Sequence, residues 1–247
     1  MTTFTLPLSG ADCTLTAYLL DPSPEMPLLD QLPALLILPG GGYHMCSDRE
    51  AEPIALAYAA QGYHAFVLRY TVGALTNGVA NVWPAPLWDA EEAMTLIRQR
   101  AQEWRVKPDR IAAIGFSAGG HLCSALGTMS AIRPDALLLG YPCTLESMNP
   151  ILAFPVPSSV EAVTADTPPT FLFSTADDAV VPIENSLAFL SALAKNGVSF
   201  ESHIFKSGRH GLSVSIPITG NGLPESIDED FAQWHMLSIR WLRRLWN

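Results

Sequence analysis

Residues 111–125, which read IAAIGFSAGGHLCSA, contain the pattern that decides the fold of this chain. The stretch opens as a short apolar run, breaks at Gly115-Phe116-Ser117-Ala118-Gly119 and continues with small residues that are compatible with a helix. This arrangement is typical of a tight turn between a buried strand and a helix, where crowding of the backbone requires glycine on either side of an exposed serine. It predicts Ser117 as a nucleophile at a helix N-terminus, whose free N–H groups favour a developing negative charge. The alternative is a glycine-rich turn without a catalytic role.

The composition of the 247 residues indicates one globular domain, because 49% of them are hydrophobic and only 15% are charged. The net charge of −10 argues against nucleic acid and anionic membranes as partners. The four cysteines have no metal-binding spacing. The N-terminal segment does not resemble a secretory signal, and no apolar run reaches the roughly 20 residues that span a bilayer. We therefore expect a cytoplasmic protein that is a monomer or a homodimer.

The hydrophobic pattern along the chain predicts strands that alternate with helices, which is typical of a mostly parallel sheet with helices on both faces. An antiparallel hairpin is predicted within residues 3–20. Strands are predicted at 34–38, 64–70, 111–114, 136–141, 170–175 and 198–205, and helices at 48–61, 87–104, 183–196 and 230–246, with a turn at 107–109. Residues 71–86 and 143–169 are expected to be loops, the second a short lid or crossing loop, within a single domain of residues 1–247.

A serine hydroxyl needs a base to take its proton, and that base needs a partner to hold its tautomer. Asp177 and Asp178 follow the predicted strand at 170–175, and catalytic groups of open α/β sheets gather at the carboxyl ends of strands. The two point in different directions, so we favour Asp178 as the acid and expect Asp177 to cap a helix or turn. Asp166, which precedes the strand, is a third candidate. Among six histidines, only His210 lies on a glycine-flanked turn that follows a predicted strand, which makes it the predicted base.

The negative oxygen of a tetrahedral intermediate needs preorganised N–H donors. The amide of Ala118, next to the nucleophile, is one expected donor. Gly40-Gly41-Gly42 directly follows the predicted strand at 34–38, and we expect Gly41 and Gly42 to supply the others. The absence of a Gly-Lys-Ser/Thr after these glycines argues against a phosphate-binding loop. This chemistry requires no metal and no cofactor.

These motifs together resemble the esterase and lipase branch of the α/β-hydrolase superfamily over essentially the whole chain. PGGGY at 39–43 takes the place of the HGGG loop of that branch, GFSAGG at 115–120 of its nucleophile turn, DAVVP at 178–182 of its acid loop and RHG at 209–211 of its histidine turn. The sequences at and around these motifs are most similar to those of small bacterial acetyl esterases and of acetylxylan and feruloyl esterases. The resemblance implies an α/β-hydrolase fold with a small lid or none, and carboxylic ester hydrolysis through an acyl-enzyme without a cofactor. Pro39 replaces the first histidine of the loop, which we interpret as a mark of the subfamily.

Three aromatic residues near these motifs, Tyr43, Trp83 and Phe116, either line an acyl or alcohol pocket or pack in the core. Asp89 falls in the first turn of the helix predicted at 87–104, where an acidic side chain complements the helix dipole.

The residues described above are compatible with three functions. The first is a serine esterase acting on small acetylated sugars or xylo-oligosaccharide esters, since 143–169 is too short for the large apolar lid of a long-chain lipase. The second is the same triad cutting a formamide, as in arylformamidases, or a peptide, as in relatives of prolyl peptidases. The third is a binding protein without catalysis. The catalytic interpretation predicts a rate that falls in acid, because His210 must be neutral to accept a proton.

Overall fold

The computed structural model describes residues 1–10, 12–27, 29–73 and 82–247. Within these ranges, eight strands join in one sheet. In chain order they are β1 (Thr2–Pro7), β2 (Thr14–Leu19), β3 (Leu32–Leu38), β4 (His64–Arg69), β5 (Val106–Phe116), β6 (Ala136–Gly140), β7 (Thr170–Thr175) and β8 (Phe200–Phe205). The helices are α1 (Glu52–Ala59), α2 (Ala85–Gln99), α3 (Ala118–Thr128), α4 (Glu184–Lys195), α5 (Glu229–Ala232) and α6 (Trp234–Trp246).

The order of the strands across the sheet is β1-β2-β4-β3-β5-β6-β7-β8. β2 is antiparallel to both of its neighbours, β1 and β4. Every other pairing, from β4 through β3 to β8, is parallel. This topology confirms the predicted mostly parallel sheet of about eight strands that begins with an antiparallel hairpin.

The core lies on both faces of the sheet because the central strands carry runs of buried apolar residues. In β3, Ala34, Leu36 and Leu38 belong to one buried cluster, and Leu35 and Ile37 belong to the other. Helices α2 and α3 contribute to the first cluster, and α1 and α6 contribute to the second. Burial of continuous apolar strands between two helical layers is the arrangement expected for a parallel sheet, and it confirms the prediction of helices on both faces.

Because the strands are parallel, the loops that carry the candidate residues all lie at the carboxyl ends of the strands, on one side of the sheet. Ser117 follows β5, Asp178 follows β7 and His210 follows β8, and these strands lie side by side with β6 between the first two. The glycine run at 40–42 follows β3, which pairs with β5. Loops at the carboxyl ends of adjacent parallel strands converge, so the topology alone brings these segments together.

Several element boundaries differ from the prediction, among them the helix predicted at 48–61, which consists of a 3₁₀ turn at Asp48–Glu50 and of α1 at Glu52–Ala59. Helix α2 begins at Ala85, so Asp89 lies beyond its first turn, and its carboxylate accepts a hydrogen bond from the amide of Thr71 at 2.7 Å. The predicted turn at 107–109 is an irregularity inside β5, where the pairing with β3 shifts register. The helix predicted at 230–246 is divided at Gln233 into α5 and α6.

Of the two segments predicted as loops, 143–169 is described in full and 71–86 in part. Of the loop predicted at 71–86, residues 74–81 lie outside the described residues. The segment 143–169 contains a short 3₁₀ helix, Glu146–Ile151, and the amide of Ala153 donates to the carbonyl of Gly42 at 2.9 Å. This segment therefore touches the glycine loop that follows β3. In the described part of the chain, every helix is too short or too polar to cross a membrane.

Candidate active site

Ser117 occupies a sharp turn between β5 and α3. Its φ angle is 54°, a left-handed conformation that is uncommon for a residue with a side chain. Its amide donates to the carbonyl of Gly140, and its carbonyl accepts from the amide of Cys143, both at 3.0 Å. A Cβ on Gly115 would lie 2.0 Å from the carbonyl oxygen of Gly119, so the turn can close only without side chains there. The backbone therefore fixes the serine at the carboxyl end of β5.

The side chains of Ser117, His210 and Asp178 form one hydrogen-bonded chain. Nε2 of His210 lies 2.8 Å from Oγ of Ser117, and Nδ1 of His210 lies 2.7 Å from Oδ2 of Asp178. The other oxygen of Asp178 accepts from the amides of Val180 and Val181 at 2.8 and 3.0 Å. Burial acts to raise the pKa of Asp178, but its hydrogen bonds to His210 and to these amides outweigh burial and lower that pKa. The carboxylate is thus held charged against the imidazole.

The other two aspartates that were candidates for the acid make different hydrogen bonds. Oδ1 of Asp177 accepts from the amide of Gly208 at 2.8 Å and so supports the turn that carries His210. Asp166 is exposed before β7, and its carbonyl accepts a hydrogen bond from Arg133. Among these three aspartates, the hydrogen bond to His210 is made by Asp178.

The glycine loop after β3 borders the same cavity as Ser117. Gly41 and Gly42 have φ angles of 122° and 64°, and a Cβ on Gly41 would lie 2.1 Å from the carbonyl oxygen of Met45. These two positions therefore require glycine. Ala118 is the first residue of α3, so its amide has no acceptor within the helix. Gly41 and Gly42 thus border the cavity of Ser117, and Ala118 directly follows that serine in the chain.

The three aromatic residues considered for a pocket have other neighbours. Tyr43 and Phe116 are fully buried, so both contribute to the core rather than to a pocket wall. The hydroxyl of Tyr43 lies 2.7 Å from Nδ1 of His121, and the ring of Phe116 packs at 5.9 Å from that of Trp234. Trp83 is half-buried with its ring 5.2 Å from that of His121. Among the described residues that border the cavity of Ser117, none of these three occurs.

Glu50 is a residue of the site that the sequence analysis missed. It is buried, with 3% of its surface exposed, and it borders the cavity. Its Oε2 accepts from the amide of Gly40 at 2.8 Å, and its Oε1 accepts from the hydroxyl of Tyr141 at 2.6 Å. The ring of Tyr141 in turn packs at 4.9 Å from that of His210. Burial raises the pKa of Glu50, although these two donors oppose the effect.

The cavity in front of Ser117 has a volume of about 490 Å³. Its apolar wall consists of Met45, Ile151, Leu152 and Val180. In the described residues, no group of three or more His, Cys, Asp or Glu side chains is placed to hold a metal ion. The arrangement of serine, imidazole and carboxylate beside free backbone amides can activate a hydroxyl and stabilise an oxyanion.

Two family models match this chain. The BD-FAE model matches residues 26–135, and the prolyl oligopeptidase family model matches residues 140–216. Among solved structures, MGS-M1, an α/β-hydrolase enzyme from a Medee basin deep-sea metagenome library, is 44% identical. Its TM-score is 0.91, with 99% of this chain and 98% of that chain covered. The chain therefore belongs to the α/β-hydrolases.

Two further relatives place it among the esterase-type members. An acetylxylan esterase of Xylanibacter ruminicola is 31% identical over 203 residues, which are 72% of this chain and 41% of that protein. An acetyl ester-xyloside bifunctional hydrolase from Caldicellulosiruptor lactoaceticus is 36% identical, with a TM-score of 0.77 and coverage of 94% of this chain and 88% of that chain. The chain spans between 32% and 54% of the length of the curated relatives that it matches.

Proposed function

We propose that this chain is a serine carboxylic ester hydrolase in which Ser117 is the nucleophile, His210 the base and Asp178 the acid. The observation that carries the proposal is the pair of hydrogen bonds of His210, at 2.8 Å to Ser117 and at 2.7 Å to Asp178. The three residues come from loops of one sheet, which supports residues 1–247 acting as a single catalytic domain.

In the first half of the reaction, Nε2 of His210 accepts the proton of the Ser117 hydroxyl as Oγ attacks the carbonyl carbon of the ester. The carbonyl π electrons move to oxygen, and the tetrahedral intermediate forms. As the intermediate collapses, the bond to the alcohol oxygen breaks and His210 gives its proton to that oxygen. Asp178 holds Nδ1 of the imidazole in the required tautomer and stabilises the imidazolium between these two transfers.

In the second half, water takes the position of the departed alcohol. His210 accepts a proton from this water, whose oxygen attacks the acyl carbon attached to Ser117. Collapse of the second intermediate breaks the bond to Oγ, returns the proton to Ser117 and releases the carboxylic acid. In both halves, the amides of Ala118, Gly41 and Gly42 would donate to the oxyanion, and the loss of one such donor typically costs about 2.7–4 kcal/mol.

A small acetylated sugar or xylo-oligosaccharide ester is the substrate class that we propose. The cavity of about 490 Å³ has a short apolar wall that suits an acetyl group better than a long acyl chain. Two of the relatives are named for acetyl esters of xylan or xylosides. These names describe those proteins, and together with the cavity they support the same class of substrate here.

Cleavage of an amide bond by the same triad is the second candidate. It is favoured by the match of the prolyl oligopeptidase family model to residues 140–216, which include Asp178 and His210. Arylformamidase-like cleavage of a formamide belongs to this candidate as well, because it uses the same acyl-transfer chemistry.

The test compares the wild-type chain with Ser117→Ala on 4-nitrophenyl acetate. We expect the variant to lose at least about 10³-fold in kcat, and a fluorophosphonate probe to label the wild type only. Ser207→Ala, at an exposed serine, is the matched control and should retain full activity. Turnover retained by Ser117→Ala would refute the assignment.

A panel of acetylated xylobiose, a feruloyl ester, N-formylkynurenine and a proline-containing peptide anilide separates the two candidates. We expect the largest kcat/KM for the acetylated sugar. A larger kcat/KM for either amide substrate would favour the second candidate.

A further inference from the structure

A second cavity lies beside that of Ser117, and the two share Arg49 and Arg209 in their walls. The second cavity has a volume of about 550 Å³. One part of its lining is apolar and comes from Pro53, Ile218 and Leu223, and another part carries the charged side chains of Asp48, Arg49, Glu52, Arg69 and Arg209. A substrate larger than an acetyl ester would therefore pass two guanidinium groups as it extends from the serine.

The charge of this second cavity differs in sign from that of the chain. Three arginines and two carboxylates line the cavity, whereas the net charge of the whole protein is −10. Arg69 is paired with Asp48 at 2.6 Å. Arg49 and Arg209 have no carboxylate partner among the described residues. Glu52 in the same lining offsets one of these two charges, and Glu50 in the neighbouring cavity interacts electrostatically with Arg49, so the lining of the second cavity keeps one net positive charge.

Neutral acceptors anchor these two guanidinium groups at the cavity wall. Nη1 of Arg209 donates to Oγ of Ser226 at 2.9 Å, and Nη1 of Arg49 lies 3.4 Å from the carbonyl oxygen of Gly211. A guanidinium has five N–H donors in a planar fork that matches a carboxylate. Each arginine therefore keeps most of its donors for a ligand.

The two arginines lie close to His210, which is the residue that meets the alcohol portion of the ester. Arg209 and Gly211 flank His210 in the chain, and Arg49 contacts Gly211. In acyl transfer, the imidazole gives its proton to the departing alcohol, so the alcohol portion lies on the side of the imidazole. The two guanidinium groups thus face the path of the alcohol rather than that of the acyl group.

We infer that the junction of the two cavities, at Arg49 and Arg209, binds a carboxylate on the alcohol portion of the substrate. The class of substrate is an acetyl ester of an acidic sugar or of a similar carboxylate-bearing alcohol, with its ring against Ile218 and Leu223. This inference rests on the proposed ester hydrolysis. It specifies in addition that the substrate carries a negative charge on its alcohol portion.

The experiment compares 4-acetoxybenzoate, which has a carboxylate on its alcohol portion, with its neutral methyl ester. The measured quantity is the ratio of kcat/KM for the two compounds, because a general change in activity cancels in this ratio. Raising the salt concentration from about 20 mM to about 500 mM should lower the ratio for the wild type, since salt screens exposed charges.

The variant R49M/R209M should lower the ratio by about fivefold at low salt, which is the range expected for exposed ion pairs. It should also remove the dependence of the ratio on salt. R240M, at an exposed arginine of α6, is the matched control and should keep the wild-type ratio. If the double variant does not fold, R209M alone and the salt series of the wild type decide the question.

The possible outcomes are distinct. A ratio that is the same in R49M/R209M, or in R209M, as in the wild type overturns the inference, as does a wild-type ratio that salt does not change. If the ratio is unchanged but the neutral ester is hydrolysed, the proposed ester hydrolase function still stands. Hydrolysis of neither compound, with no labelling of Ser117 by a fluorophosphonate, overturns the proposed function and this inference together.

Discussion

The surroundings of Asp178 and of Glu50 differ, although both carboxylates are buried next to His210 or its neighbours. Asp178 contacts the imidazole directly and accepts from two amides, and its pKa is lowered. Glu50 accepts from Gly40 and Tyr141, and burial nevertheless raises its pKa. A direct contact with an ionisable base outweighs burial, whereas two neutral donors do not. We therefore propose that Asp178 orients the imidazole of His210 and stabilises its charged form, and that Glu50 positions the glycine loop.

The most severe test of this difference is Asp178→Asn. We expect kcat/KM for 4-nitrophenyl acetate to fall about 10³- to 10⁴-fold, because an amide cannot hold the imidazole in the tautomer that accepts from Ser117. Asp177→Asn is the matched control, since its carboxylate contacts only the amide of Gly208 among the described residues. A larger loss in Asp177→Asn than in Asp178→Asn would reverse the assignment of the acid.

A smaller loss is expected for Glu50→Gln. One oxygen of the carboxylate becomes an NH₂ group, which cannot accept from Gly40 or from Tyr141, so the glycine loop should shift. We expect kcat to fall about 10- to 100-fold with little change in KM, because the oxyanion donors act in the transition state. Glu161→Gln, at an exposed glutamate, is the control.

The pH profile separates a positioning role of Glu50 from a purely structural one. Because the pKa of Glu50 is raised, its carboxyl group stays protonated to higher pH than an ordinary glutamate. As pH rises through that pKa, the new negative charge stabilises the imidazolium of His210, so the wild-type kcat should rise further. A pH profile of Glu50→Gln that parallels that of the wild type would contradict this role.

His235 extends the comparison to a half-buried imidazole whose Nε2 atom is buried without a hydrogen-bond partner among the described residues. Burial lowers its pKa to about 4, and it does the same for His64 and His121. Between pH 6.5 and pH 4 the unfolded chain binds more protons than the folded chain, so the free energy of unfolding falls as pH falls. His235→Phe should make this slope shallower without loss of stability at pH 7.

Urea denaturation at several pH values between 7 and 4 measures that slope. His44→Gln, at an exposed histidine, is the matched control and should keep the wild-type slope. An unchanged slope in His235→Phe would show that this histidine does not contribute to acid sensitivity.

The smallest effect is expected at Cys143, whose Sγ lies 3.9 Å from Oγ of Ser117. Burial raises the pKa of this thiol to about 12, so it stays protonated at neutral pH and does not compete as a nucleophile. Cys143→Ala should change kcat/KM for 4-nitrophenyl acetate by less than about threefold, and iodoacetamide should not inactivate the wild type. Rapid inactivation by iodoacetamide that Cys143→Ala prevents would contradict this expectation.

The strands and the candidate triad could be predicted because their signals are local. β7 spans Thr170–Thr175 as expected, since a short segment with an apolar centre between prolines and aspartates has sharp ends. Ser117 and His210 each lie in a short glycine-flanked turn that directly follows a strand. A turn of this kind depends on a few adjacent residues, so its pattern is visible in the sequence.

The features that could not be predicted depend on distant contacts. Glu50 and Tyr141 are separated by 91 positions, and Glu50 follows Asp48 and Arg49 in a charged run at the start of the helix predicted at 48–61, which is typical of a solvated face. No spacing rule joins residues so far apart. Asp89 was expected to complement a helix dipole, but α2 starts earlier, and its carboxylate accepts instead from Thr71 on the loop after β4. Tertiary contacts determined both positions.

The left-handed backbone at Ser117 affects how this chain could evolve. A φ of 54° is strained for serine and relaxed for glycine, a difference worth about 1 kcal/mol or more. Ser117→Gly would therefore abolish the nucleophile and at the same time raise the melting temperature. Descendants of this sequence that drift into inactive binding proteins would gain thermal stability at the first step, so only selection for turnover keeps a hydroxyl at this turn.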